Sequence, residues 1–166
     1  QDTKERIKSV IDSYPLEDYD WGTRTDKFFI YSNLPGKEVK KSIKKYANGV
    51  KKEDVLLFFY DGLGMIGSSF IVTEDKLYYL NRVNPSPFEN IGVIDLNTIS
   101  GFKWKSKDDN LMIYGIGSDP VARLYIVTYK KKKAAILIDL LDSIVSAVAN
   151  KPSTGKMWSA DSVATW

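Results

Sequence analysis

The stretch 55–82, VLLFFYDGLGMIGSSFIVTEDKLYYLNR, decides the fold. Within it Val55–Tyr60, Ser69–Thr73 and Lys76–Arg82 are runs of aliphatic, β-branched and aromatic residues, parted by the glycine-rich loop 62–67 and the acidic turn Glu74-Asp75. Short apolar runs between turn residues read as strands joined in hairpins. The rhythm continues through Ile91–Leu96, Gly101–Lys105, Leu111–Ile116 and Val121–Tyr129, giving seven strands. Their joints, a Pro-rich 84–90, Asn97-Thr98, Asp108-Asp109 and Ser118-Asp119-Pro120, are mostly of hairpin length. Phe102 and Trp104 alternate with Lys103 and Lys105, the pattern of a strand with one dry face.

Downstream, Leu137, Leu140, Leu141, Ile144, Val145 and Val148 recur at helical spacing and predict a helix from about Ala134 to Ala149, with Asp139, Asp142, Ser143 and Ser146 on its polar side. Upstream, Asp2 and Glu5 make a capping pair for a helix over 2–14, with Ile7, Val10, Ile11 and Tyr14 on one face and Pro15 as its stop. A loop, a short strand at Phe28–Tyr31 and a second helix at about Lys37–Ala47 follow, the last ended by Asn48-Gly49. Three regions result: a helical extension over 1–53, a β-rich unit with its helix over 54–150, and a polar tail over 151–166.

Seven antiparallel strands cannot close their edges as one flat sheet, and a long amphipathic helix must bury its stripe. The expected fold is α+β and mainly β: two orthogonal antiparallel sheets in a seven-stranded, partly open barrel, capped by the C-terminal helix. That is the pleckstrin-homology (PH) architecture. Particular residues carry a likeness as well: Asn33-Leu34-Pro35, Ile43, Tyr46-Ala47, Glu53-Asp54-Val55, Tyr60-Asp61, Phe70-Ile71-Val72-Thr73-Glu74-Asp75 and Leu77-Tyr78-Tyr79. In this order they resemble a group of bacterial PH-like domains of mostly unassigned function. After Asp61 this chain has Gly62 and Leu63, where the group's pattern has a second acidic residue and a Thr. The resemblance implies the fold rather than an activity.

Composition narrows the chemistry. The 166 residues include no His and no Cys, which removes imidazole- or thiolate-based nucleophilic triads and the usual ligands of zinc, haem and iron-sulfur centres. No cofactor is expected. The net charge of +3 is unevenly spread: −2 over 1–35, +5 over 36–53 and zero over 54–166. Lys37, Lys40, Lys41, Lys44 and Lys45 form the polar face of the second helix, and Lys130, Lys131, Lys132 and Lys133 stand before the last one. Both clusters are candidate seats for an anionic partner, against the plainer reading of solvated faces. Nucleic acid would meet many lysines but few arginines, and arginine rather than lysine makes the bidentate base and phosphate contacts.

Two motifs hint at catalysis and have plainer explanations. Gly62-Leu-Gly64-Met-Ile-Gly67 fits the dinucleotide-loop pattern, yet a β-branched run follows it instead of the helix that pyrophosphate needs. In PH domains that bind phosphoinositides this loop usually supplies Lys and Arg to the phosphates, whereas 61–69 holds no basic residue. Asp61 with Glu74-Asp75-Lys76 echoes the carboxylates and lysine of a Mg²⁺ nuclease, but acidic hairpin turns are common. Trp21, Phe88, Trp158 and Trp166 fall outside the strands and are candidate interface anchors.

The residues therefore predict a non-catalytic PH-like binding module, engaging a protein or a second copy of itself through a strand edge or beside the C-terminal helix. Docking to an anionic membrane or nucleic acid through the lysines is the alternative. A Mg-dependent nuclease-like enzyme stands third. No specific small-molecule partner is expected. With no apolar run of spanning length and a charged N-terminal segment, the chain reads as soluble and cytoplasmic, although a start at Gln1 leaves room for upstream sequence.

Overall fold

The computed structural model describes residues 2–14, 26–61, 68–81, 90–105, 107, 110–126 and 131–151; at positions 26, 27, 61 and 131–133 it describes the backbone alone. The elements run α1 (Thr3–Asp12), β1 (Asp26–Ile30), α2 (Gly36–Tyr46), β2 (Leu57–Asp61), β3 (Ser68–Val72), β4 (Lys76–Asn81), β5 (Ile91–Asp95), β6 (Gly101–Lys105), β7 (Asn110–Tyr114), β8 (Pro120–Tyr125) and α3 (Lys131–Val148). The strands form two antiparallel sheets, β1-β2-β3-β4-β5 and β6-β7-β8.

The sequence places seven of these strands to within a few residues. The seventh run ends earlier than expected, at Tyr125, and the sixth stops at Tyr114 because Gly115-Ile116-Gly117 turns the chain. Gly117 takes a φ of +110°, where a side chain would be strained, and Ile116 is left in solvent. The C-terminal helix begins at Lys131 rather than Ala134, so three lysines sit in its first turn instead of in a linker.

β1 is an eighth strand. It pairs with β2 along its length, Phe28 opposite Phe59 and Phe29 opposite Phe58. The first 53 residues thus hold the edge of the larger sheet as well as two helices. Capped by the Asp2 carboxylate, which accepts from the Glu5 N–H at 2.8 Å, α1 packs along α3 and sends Ile7 and Ile11 into the main core. The Tyr31 hydroxyl, just past β1, lies 2.7–2.8 Å from both carboxylate oxygens of Asp12, tying the end of α1 to the sheet.

The main core lies between the sheets and under α3. Phe59, Phe70, Leu77 and Tyr79 meet Phe102, Leu111, Ile113 and Leu124, and Leu137, Leu140, Leu141 and Ile144 close over them. Each fully buried large side chain contributes about 1.5–3 kcal/mol relative to exposure. A second cluster covers the outer face of the five-stranded sheet, where Phe58, Ile71 and Leu80 lie under Val39, Tyr46 and Ala47 of α2 and its exit. This explains why Leu57–Phe59 and Ser68–Val72 do not alternate in polarity: both faces of these strands are covered, one by the core and one by α2.

Candidate functional site

β5 ends the five-stranded sheet, and among the described residues no strand lies against its outer side. Its phase is fixed by two ladder bonds: the Asn81 N–H donates to the Asn90 carbonyl at 2.7 Å, and the Leu96 N–H donates to the Asp75 carbonyl at 2.8 Å. In an antiparallel pair, hydrogen-bonded and non-bonded positions alternate. With Tyr79 opposite Gly92 and Leu77 opposite Ile94, the N–H and C=O of Gly92 and Ile94 point at β4, and those of Ile91, Val93 and Asp95 point away from it.

The same three residues turn their side chains out. Ile91 is 47% and Val93 55% exposed, large values for β-branched residues in a strand. Their cross-strand partners are Leu80 and Tyr78, so both lie on the face that α2 covers farther in. On the other face Gly92 lies against the Tyr79 ring; a Cβ built there would run into the Tyr79 ring and hydroxyl, so any larger residue requires the ring to shift. Asp95, at the end of the strand, is paired with Lys76, its partner in register. Among the described residues β5 therefore presents an unpaired edge whose own residues include no lysine or proline of the kind that usually guards one.

At the other edge of this sheet β1 includes the charged residues Asp26 and Lys27, and the edges of the smaller sheet are partly engaged. β8 lies beside β4, where the Asn81 side-chain amide donates to the Arg123 carbonyl at 2.9 Å. β6 carries Lys103 and Lys105 and packs against α3.

Of the residues singled out from sequence, the structure brings one set together. Lys37, Lys40, Lys41, Lys44 and Lys45 are all exposed on the side of α2 away from the sheet, and among the described residues none forms a salt bridge. Lys51 and Lys52 are exposed just beyond the helix. The side chains at 131–133, together with Lys130, Trp21, Phe88, Trp158 and Trp166, lie outside the described residues, as does the glycine-rich loop 62–67. Glu74 and Asp75 are exposed at the β3–β4 turn, where Thr73 donates to Asp75 at 3.0 Å, and Lys76 is held by Asp95. Among the described residues no three acidic side chains gather closely enough to hold a metal.

The polar side of α3 is corrected by the structure. Rather than facing water, Ser143 is buried and Asp139 and Asp142 are half-buried beside the end of α1. The Tyr14 hydroxyl donates to Asp139 and lies 3.2 Å from the Ser143 hydroxyl. Burial, then the bond to Asp139, holds the Tyr14 phenol well above its usual range. Burial, then the nearby Asp139 charge, pushes the Asp142 carboxyl up to about 6. No local pattern in the sequence marks this cluster, because it depends on α1 lying over α3.

Compared with protein families, curated proteins and solved structures, the chain finds no match. No helix among the described residues is long and apolar enough to cross a membrane.

Proposed function

We propose that the protein is a PH-like, non-catalytic interaction module that self-associates by pairing its β5 antiparallel with β5 of a second copy. The PH-like assignment is supported by the element order: four antiparallel strands β2–β5, three more β6–β8, then a helix that packs on the core, with α1, β1 and α2 as additions before them.

The observation that carries the self-association is the outward direction of the Ile91, Val93 and Asp95 main-chain groups on an edge that no described strand pairs with. A two-fold axis at Val93 sets Val93 opposite Val93 and Ile91 opposite Asp95, so no like charges meet and the interface is isologous. Each Asp95 already has Lys76 as its counter-charge. Main-chain hydrogen bonds would supply the affinity and the Ile91 and Val93 side chains the register.

The test is sedimentation equilibrium of the parent chain and of Val93→Pro. Proline at 93 removes an outward N–H and leaves the β4 ladder intact, so the variant should fold and stay monomeric where the parent dimerises. Equal association of the two chains would refute the pairing.

A further inference from the structure

We infer that the outer face of the five-stranded sheet is a docking surface for an anionic lipid bilayer, with the α2 lysines as its charged contact and the β5 side chains as its apolar one. This goes beyond the strand pairing proposed above and does not depend on it.

Residues on a helix turn by about 100° each, so Lys40, Lys44, Lys37, Lys41 and Lys45 fill a continuous arc of about 140°. That arc lies opposite Val39 and Tyr46, which are buried against the sheet. All five lysines are exposed, and none of them forms a salt bridge with a described acidic group. Glu38, the acidic residue of the helix, is off to one side of the arc. A cationic surface of this kind is complementary to anionic headgroups.

Duplex nucleic acid would satisfy the charge equally well, and the neighbouring strand decides between them. Ile91 and Val93 are opposite Leu80 and Tyr78 and so share the face on which α2 lies. α2 stands above β2–β4, and β5 is the next strand out, so one plane can rest on the flank of the helix and on the Tyr78–Val93–Ile91 strip. A polybasic patch beside an apolar strip supplies the two signals that peripheral attachment to a bilayer needs. Phosphate backbones offer nothing to Ile91 and Val93, and the arc has no arginine or aromatic residue to read or stack on a base.

The test is co-sedimentation of the full chain with phosphatidylcholine vesicles, with and without phosphatidylglycerol, and competition by duplex DNA. Binding should require phosphatidylglycerol and weaken as salt shortens the screening length to about 8 Å. Replacing the five lysines by Gln should cost at least about a hundredfold in affinity. Ile91→Ser with Val93→Ser should cost up to about tenfold. All the replaced side chains are exposed, and thermal unfolding by circular dichroism verifies that each variant folds. No binding to the anionic vesicles, or undiminished binding by the lysine variant, overturns the proposal. So does duplex DNA that binds more tightly than the vesicles and ignores the serine pair, which would make this a nucleic-acid surface.

Discussion

Asn81 joins the two sheets through Arg123: its side-chain amide donates to the Arg123 carbonyl at 2.9 Å, while its own amide oxygen accepts the Ser68 hydroxyl at 2.8 Å. Asn81 is fully buried, at 0% exposure, so neither bond can be replaced by water without opening the seam between β4 and β8. Asn81→Leu fills similar volume and leaves both partners unsatisfied, at a cost of about 1–3 kcal/mol per orphaned group. Urea unfolding should show a lower midpoint for Asn81→Leu, and a smaller loss for Ser68→Ala, which removes one bond. A midpoint unchanged by Asn81→Leu would remove Asn81 from the account of how the sheets are held.

Gly92 and Tyr79 are matched across β4 and β5. Gly92→Ala forces the Tyr79 ring out of its place in the core and should destabilise by about 1–3 kcal/mol, the usual cost of overpacking. In the Tyr79→Leu background the same substitution should cost much less, because the ring it strikes is gone. A double-mutant cycle in urea measures the coupling; additive losses would mean that the two sites are independent.

Much of this fold is legible in the sequence because local signals and packing agree. The Asp2–Glu5 cap, the Pro15 boundary and the turn residues between the β runs mark elements that the structure contains. Phe28–Tyr31 was readable as a strand but not as the partner of β2, since pairing between residues 26–30 and 57–61 leaves no local trace. The site was harder still. Ile91-Gly-Val93-Ile94 looks like any buried strand, because its exposure depends on α2 stopping short of β5, a fact of packing and not of pattern. The lysine arc, by contrast, follows from helical spacing alone.

The half-buried Asp142 should make stability depend on pH. Its folded carboxyl titrates near 6 against an ordinary 3.8, so between those values the native chain holds a proton that the unfolded chain has lost. Stability contributed here is present below about pH 4 and falls as pH rises toward 6. Allowing for solvent screening of a side chain this exposed, the loss is of order 1 kcal/mol. Asp142→Asn should flatten this part of the profile and be the more stable chain at pH 7. Urea midpoints at pH 4, 5, 6 and 7 check it; parallel profiles for the two chains would contradict it.

Amide hydrogen exchange along β5 at rising protein concentration tests the self-association most directly. Gly92 and Ile94 are bonded to β4 and should be protected throughout, whereas Ile91, Val93 and Asp95 should exchange freely in dilute solution and become protected as the chain is concentrated. Ile91, Val93 and Asp95 amides that exchange as fast at high concentration as at low would contradict pairing through β5.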